Sequence, residues 1–585
     1  MRVTRLCRRS DHLKVNSRGV EARFQVIGVI ANQSNEGAVR EFFELFKTPW
    51  EFYRDGVRYD VVLCQGDYDF DELAAKLLLI YGSDETSFDL KQQVHIKSKS
   101  AGSELLISAT TIPIYGPALR FEGECQALIK DRSGDTVAYV SQLWGTPCVR
   151  VGYDLFREVR TLLVQGQPEV NASIPALDLH IALLRQMITC CGLPLVEIPP
   201  VPGGYSFIAC LTHDLDHPSI RRHKLDATMF GFLYRAIVTS ALNTARRRLP
   251  LKSLFKNWGA ALKLPFVYLG IAEDFWYGFD RYLEIEEGRP STFFVIPFAG
   301  RAGHSPTGNA SAARGAGYDV SDIAEKIQRL AAAGCEIGLH GIDAWNDSAK
   351  AREESKRISD VSGQPVSGVR MHWLYNDEKS PAVLEEAEVS YDSTVGYNQT
   401  VGFRSGTSQV FKPLHAKQLL ELPLHVMDTA LFYPDYLGLS DKEAWTWVGP
   451  LLENAAQRGG VFTVNWHDRS IAPERLWGDF YVRLLAELTA RGALFLTAAQ
   501  AVSWFRKRRS AVFDTVADGR LSVRMSLDSG RFMPALRIRF HEPQRLPGPV
   551  PKLDGFQETY EDTILEGRTK FHFPSDAPGA RARSR

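Results

Sequence analysis

The chain has 585 residues, 44% of them hydrophobic, and its 69 Lys+Arg balance 69 Asp+Glu to a formal charge of zero. Neutrality argues against a protein that coats nucleic acid, and ordinary glycine and proline use excludes collagen-like and wholly disordered chains. At roughly 100–200 residues per domain, the length predicts about two to four domains. The first residues, MRVTRLCRRSDHLKVNS, are basic but have no apolar run behind them, so they do not read as a secretory signal. No run of about 18 uncharged apolar residues predicts a transmembrane helix. The eight cysteines form no CxxC pair. Their scatter predicts reduced thiols in a cytoplasmic protein rather than a zinc ribbon or a disulfide framework.

After an N-terminal extension (1–22), residues 23–198 read as an α/β accessory domain. Strands are expected at Phe24–Ile30 and Tyr59–Cys64, and helices at Glu36–Phe46 and Asp71–Ile80. Short strands follow at Val94–Ile96, Leu105–Ser108 and Ala138–Ser141, then helices at Tyr153–Leu163 and Leu177–Cys191. This region has no GxxxxGK[ST] loop, and a lone Gly28 is too little for dinucleotide binding. The Pro- and Gly-rich stretch Pro194–Gly204 marks a boundary. Beyond it, apolar strands end in polar residues: Phe207–Thr212, Thr292–Ile296, Glu336–Leu339, Val366–Met371, Leu419–Leu424, Val461–Trp466 and Ala493–Leu496. Helices such as Val320–Ala333 and Asp479–Arg491 separate several of them. Repeated βα units predict a barrel or an open parallel sheet. Residues 509–565 read as a small β-like extension and 566–585 as a disordered basic tail.

Ionisable residues fall at the strand ends. Asp214 and Asp216 follow one strand, His340 ends a second, Arg370 and His372 a third, and His467 a fourth. In a parallel α/β barrel such ends face one common site. Each has a plainer reading alone: the aspartates as helix caps, each histidine as a hydrogen-bonded structural residue, and Arg370 as the partner of Asp392. Convergence of all of them on one face has no structural need.

In this order, Thr212-His213-Asp214-Leu215-Asp216, Ile337-Gly338-Leu339-His340, Gly368-Val369-Arg370 and Asn465-Trp466-His467 resemble the motifs of the polysaccharide deacetylase family (carbohydrate esterase family four). The resemblance covers residues 205–508. The segments Tyr391–Tyr397, Gly402–Thr407 and Glu421–Leu424 resemble a divergent branch. The resemblance implies a distorted (β/α) barrel and removal of an acetyl group from an N-acetylated saccharide, with one divalent metal ion, zinc before nickel or cobalt. It implies Asp214 as base, His467 as acid to the leaving amine and Arg370 orienting Asp214, with Asp216 and His340 as metal ligands. Two departures stand out. Leu215 separates the two aspartates, and Ala344 occupies the place of a further histidine ligand. His372 is the replacement of choice because i and i+2 on a strand share a face, with Asp343 and Asp347 as alternatives. Arg404 reads as a substrate contact or a surface ion pair, Trp373 and Trp345 as sugar platforms or core, and Asp392 as a substrate contact. Two other functions stay open: hydrolysis of another small amide, or a non-catalytic carbohydrate-binding scaffold.

An insertion at 218–265 holds ten Lys/Arg against one acid, Asp226, a net +9 in a neutral chain. It is also rich in apolar residues. This pattern suits an anionic membrane surface or a lipid-linked glycan, and equally a helical lid with a solvated face. Nucleic acid has no motif to recommend it. The expected location is cytoplasmic, peripheral at the inner face of the membrane.

Overall fold

The computed structural model describes residues 26–70, 73, 75–247, 250–276, 278–475, 477–515, 521–525, 533–544, 553, 556, 559–565 and 569–570. The architecture is mixed α/β. The extension 1–22 and most of the basic tail lie outside the described residues; within the tail, Thr569–Lys570 pairs as a strand with Ser522–Val523.

The first half is one nine-stranded mixed sheet. Strands β1 (Ile27–Ile30), β2 (Trp50–Phe52), β3 (Tyr59–Gln65) and β4 (Ala75–Tyr81) are parallel and continue into β9 (Thr146–Val151). Antiparallel strands β5 (His95–Ile107), β6 (Thr110–Glu122), β7 (Gln126–Asp131) and β8 (Thr136–Leu143) complete it, in the order β2-β1-β3-β4-β9-β8-β6-β5-β7. The helix Glu36–Phe46 buries Val39, Phe42, Phe43 and Phe46, the spacing of one helical face. The helix expected at Asp71–Ile80 is instead strand β4, apart from positions 71, 72 and 74, which lie outside the described residues. Leu77 to Tyr81 is buried without a break. A strand covered on both faces reads as a continuous apolar run, which periodicity alone cannot tell from a buried helix. The two short strands expected at 94–96 and 105–108 are one, joined through the exposed polar stretch of β5.

After β10 (Leu195–Glu197), a second sheet carries the site. Its strands are β11 (Phe207–Leu215) and β12 (Ser291–Val295); then, past the small hairpin of β13 (His304–Ser305) and β14 (Gly308–Asn309), β15 (Glu336–Gly341), β16 (Gly368–Met371), β17 (Tyr391–Asp392), β18 (Leu420–Glu421), β19 (Val426–Met427), β20 (Val461–Asn465) and β21 (Ala493–Phe495). All pairings in this sheet are parallel, in the order β18-β17-β16-β15-β12-β11-β20-β19, with β21 beside β11. Its two edges meet through one stretch of chain: Leu424 N–H donates to Val395 on one side, and His425 N–H to Thr463 on the other. The sheet is thus curled and bridged rather than a regular eightfold barrel.

The two halves are sewn together by polar contacts. Asp178 accepts from Thr407 Oγ1 at 2.6 Å and from Ser408 N–H at 3.1 Å. Gln167 Nε2 donates to the Phe403 carbonyl at 2.7 Å, and Glu41 takes Arg509 in a bidentate pair at 2.8 Å. A Cβ on Gly402 (φ +148) would stand 2.1 Å from the Ala172 carbonyl oxygen, so this seam requires glycine there. Beyond the helix Ala498–Ser510, the strand Leu536–His541 pairs back onto β10, which ties this C-terminal segment to the junction.

The basic insertion is a helical hairpin. Helix Ala227–Leu233 runs through a π-helical turn, Tyr234–Thr239, into Ser240–Ala245, and Leu251–Tyr268 returns alongside. Met229, Phe232, Ala236, Ala260, Leu264 and Val267 pack on Trp276.

Candidate metal and catalytic centre

Alternation along the strands selects the side chains. Along β11 and one residue past its end, Thr212, Asp214 and Asp216 are two apart and share the inner face, while His213 turns outward to Glu286 and the Trp466 carbonyl. The Leu215 spacer therefore keeps both carboxylates on one side. Arg370 on β16 and His372 just past it repeat the pattern, as do Asn465 on β20 and His467 just past it.

Asp216, His340 and His372 offer ligand atoms that all lie within 4.8 Å of one another. His340 Nδ1 is 2.9 Å from the Arg370 carbonyl. A carbonyl only accepts, so Nδ1 donates and Nε2 of the neutral ring presents a lone pair. That atom is 3.0 Å from His372 Nδ1 and 3.3 Å from Asp216 Oδ1, which is itself 3.3 Å from His372 Nδ1. Asp216 Oδ1 is buried with no hydrogen-bond partner. Burial alone would raise the Asp216 carboxyl, but His372, His340 and His467 outweigh it and hold it well below the carboxylate range. Burial keeps His372 below its ordinary value against the pull of Asp216. Two imidazoles and a carboxylate, aimed at one point with an orphaned oxygen among them, fit a divalent cation. The other candidates for third ligand are engaged elsewhere. Asp343 accepts from His304 N–H at 2.7 Å, and Asp347 caps the helix Ser348–Ser362. Ala344 is core.

Asp214 stands beside this triad, its Oδ2 3.9 Å from His340 Nε2. Arg370 Nη1 donates to its Oδ1 at 3.0 Å and Asn465 Nδ2 to its Oδ2 at 2.8 Å. Burial pushes its carboxyl up, but Arg370, His340 and His467 together hold it below the ordinary value. The guanidinium of Arg370 is fixed in turn by Thr212 Oγ1 at 2.7 Å and by Ser393. Across the triad, His467 Nε2 is 3.8 Å from Asp216 Oδ2. Its Nδ1 donates to buried Asp428 at 2.6 Å, and its backbone N–H donates to the other oxygen of Asp428 at 2.7 Å. Burial opposes the charge on His467, but Asp428, then Asp216 and Asp214, push it up to about 10.

These groups open into a cleft of about 470 Å³, inside the ~300–1,000 Å³ usual for small-ligand sites. Trp373, Tyr375, Tyr433 and Tyr436 line it with Asn398, Gln399, Arg314 and Arg469. Trp373 holds a left-handed backbone (φ +64) and is 39% exposed, which turns its ring into the cleft mouth. Of the two readings open for Trp345, platform or core, the structure has core. Two expected substrate contacts lie elsewhere. Asp392 is buried behind the site on β17, hydrogen-bonded to Thr394 and pushed up to about 6 by burial. Arg404 sits at the seam between the halves, over the Tyr397 ring and against Gln165.

No protein-family model matches the chain, and no curated protein matches it. Among solved structures it is similar to a Mycobacterium smegmatis protein assigned as a polysaccharide deacetylase, at 20% identity over 53% of this chain and 95% of that one, TM-score 0.32. It is also similar to Agd3, a carbohydrate deacetylase, at 8% identity over 89% and 91% of the two chains, TM-score 0.33. The Bacillus subtilis peptidoglycan deacetylase PdaC gives 13% identity, 53% and 94% coverage, and a TM-score of 0.23. At these scores the likenesses carry no weight for the chemistry, which rests on the residues themselves.

Sequence reasoning missed Asp428 and Arg314, and it placed Asn465 in a motif without giving it a role. Arg314 is buried and gathers carbonyls from three segments: Ala302 at 2.7 Å, Ile342 at 3.0 Å and His372 at 2.8 Å. It thereby clamps the backbone of a triad residue. Asn465 lay two positions before His467, so the strand period could have pointed to its role. Asp428 and Arg314 had no local signal.

Proposed function

We propose that the chain is a metal-dependent hydrolase that removes an acetyl group from an N-acetylated saccharide. One observation carries this reading: the Asp216–His340–His372 triad is flanked by a carboxylate held by arginine and by an imidazole held by aspartate. Asp216, His340 and His372 would hold the cation, and a borderline ion such as zinc, before nickel or cobalt, suits two nitrogens and an oxygen. A cation bound there polarises an amide carbonyl and acidifies water. Asp214, ionised under Arg370 and Asn465, accepts the proton of the attacking water. His467, kept protonated by Asp428, gives a proton at Nε2 to the departing amine. Trp373 and the cleft tyrosines stack on sugar faces. The test is metal analysis of the purified chain together with acetate release from a panel of N-acetylated saccharides and simple amides. Stoichiometric metal with release confined to the saccharides supports the reading. A metal-free protein that takes up no divalent ion overturns it and favours the scaffold.

The insertion serves as a peripheral membrane contact. Thirteen of the twenty-five large apolar residues exposed among the described residues lie between Leu225 and Ile271. Phe255, Trp258, Leu262, Phe266 and Leu269 follow helical spacing, so one helix shows a buried stripe and a second, exposed one. Lys252, Lys256 and Lys263 are on the same helix. An exposed apolar stripe with basic neighbours fits an anionic leaflet, at about 1 kcal/mol per surface cation. No described helix is long and apolar enough to cross a membrane. Flotation with phosphatidylglycerol vesicles at low salt tests the contact, and no binding there refutes it.

A further inference from the structure

Beside one end of the cleft, arginines outnumber the carboxylates that act on them among the described residues. Arg469, two residues after His467, lines the cleft beside Tyr433 and His217. Near it are Arg475, which is 7% exposed, and Arg235, which the hairpin supplies. The three are close enough to act on one another. Burial, then Arg469 and Arg235, hold the Arg475 guanidinium down to about 9, and burial likewise lowers Arg235 against the pull of Glu474. Among the described residues two carboxylates act on this cluster: Asp468, beside Arg469 and itself pushed up to about 7 by burial, and Glu474. Glu474 Oε1 already accepts from Trp276 Nε1 at 2.9 Å, and burial pushes its carboxyl up. The Nε atoms of Arg235 and Arg475 are buried without a hydrogen-bond partner, as is Glu474 Oε2. Aromatic rings hold the guanidinium planes in place: Arg475 lies 5.4 Å from the Tyr433 ring and 4.8 Å from Trp477, and Arg469 lies 5.3 Å from Trp276.

A buried guanidinium with an open fork is costly unless an anion completes it. Three forks against two carboxylates, both pushed toward the neutral form by burial, leave at least one negative charge to be supplied. A phosphoryl group brings that charge and several oxygens to share among the forks, whereas a carboxylate has only two oxygens and fills one fork. A neutral sugar offsets none of it. We propose that Arg235, Arg469 and Arg475 form a phosphoryl-binding subsite at the end of the cleft, so that the substrate is an N-acetylated saccharide carrying a phosphate or diphosphate ester. The saccharide half of this statement rests on the function proposed above; the anion site does not.

The test is calorimetric titration of the full chain with inorganic pyrophosphate. Binding should weaken at least about tenfold in Arg469→Gln and in Arg475→Gln, the loss of one charge-assisted contact, and should fall with added salt. Asp216→Asn should bind as the wild type does, which separates this subsite from the cation centre. If Arg475→Gln does not fold, Arg469→Gln and the hairpin variant Arg235→Gln carry the test. Uridine diphosphate in solution and vesicles bearing an isoprenyl diphosphate are then used as competitors. Displacement by either supports the subsite and identifies whether a soluble or a lipid-linked ester fills it. Four results would overturn the proposal: unchanged affinity in the arginine variants, loss of binding in Asp216→Asn, no displacement by either diphosphate, or displacement by glucuronate at equal concentration. Failure of the deacetylase reading looks different: pyrophosphate binding that depends on the arginines, with no acetate released from any saccharide.

Discussion

The pair formed by His467 and Asp428 offers the sharpest test of the assignment. In Asp428→Asn the shape is nearly unchanged, but a side chain with two acceptor oxygens becomes one with a single acceptor and a donor. His467 presents two donors to it, Nδ1 at 2.6 Å and its own backbone N–H at 2.7 Å. One donor must therefore lose its partner, and the charge that favours the imidazolium disappears. Charge-assisted hydrogen bonds contribute about 1.5–3 kcal/mol each. With one lost and one weakened, the acid form of His467 forfeits about 3–4 kcal/mol, or roughly a 10²–10³-fold drop in kcat. The pH profile carries a second signature. Asp428 raises the pKa of His467, so the acid form persists to higher pH in the wild type, and the alkaline limb of kcat should move to lower pH in the variant. Metal content should not change, because Asp428 contributes no atom to the triad. The assay is steady-state acetate release on metal-loaded protein across pH, beside metal analysis of the same samples. Full turnover with an unshifted alkaline limb would refute the acid role of His467, and loss of metal would place Asp428 in the cation centre instead.

His340→Ala and His372→Ala should each lose bound metal and turnover, and metal retained in either removes that residue from the ligand set. Arg370→Met strips the counter-charge from Asp214 in a pair whose side chains are 0% and 3% exposed; it should destabilise by about 3–5 kcal/mol in urea unfolding, and a loss under about 1 kcal/mol contradicts the pairing. Gly402→Ala should cost more than about 1 kcal/mol and speed proteolysis between the halves, whereas unchanged cleavage would mean the seam tolerates a side chain. Burial pushes Glu158 and Glu354 each up to about 7 from an ordinary 4.5, despite two backbone N–H donors apiece. The folded chain thus holds protons that the unfolded chain releases; the stability they give is present below 4.5 and lost as pH rises through about 7. A Glu158→Gln/Glu354→Gln variant should flatten that decline in Tm, and an identical slope would show that the two groups do not titrate there.

Much of the centre was legible because a strand end is a local signal. A short apolar run followed by Asp, His or Arg fixes both where a side chain sits and, through the period of two, which way it faces. This holds for Asp214, Asp216, His340, Arg370, His372 and His467, all of which the second sheet gathers around one cleft. The residues that hold them in place left no such trace. Asp428 meets His467 from 39 positions away, and Arg314 reaches the carbonyl of His372 across 58. Arg404 and Asp392 were attractive as polar residues in a suggestive segment, but packing sends the first to the seam and buries the second on β17 against Thr394. The misread of β4 has a related cause, since burial on both faces erases the alternation by which a strand is recognised.

The seam between the halves also bears on inheritance. Residues 403–411 belong by sequence to the half that carries the site, yet their carbonyls and hydroxyls are completed by Gln167 and Asp178 of the first half, and the Phe411 ring is part of that half's core. A gene fragment encoding only the second half would present these groups to water, within one short connection of the stretch that bridges the sheet edges. The site-bearing half is therefore not a cassette that recombination could pass between proteins intact; the two halves have to travel together, and sequence change at 167 or 178 is answerable to 403–411.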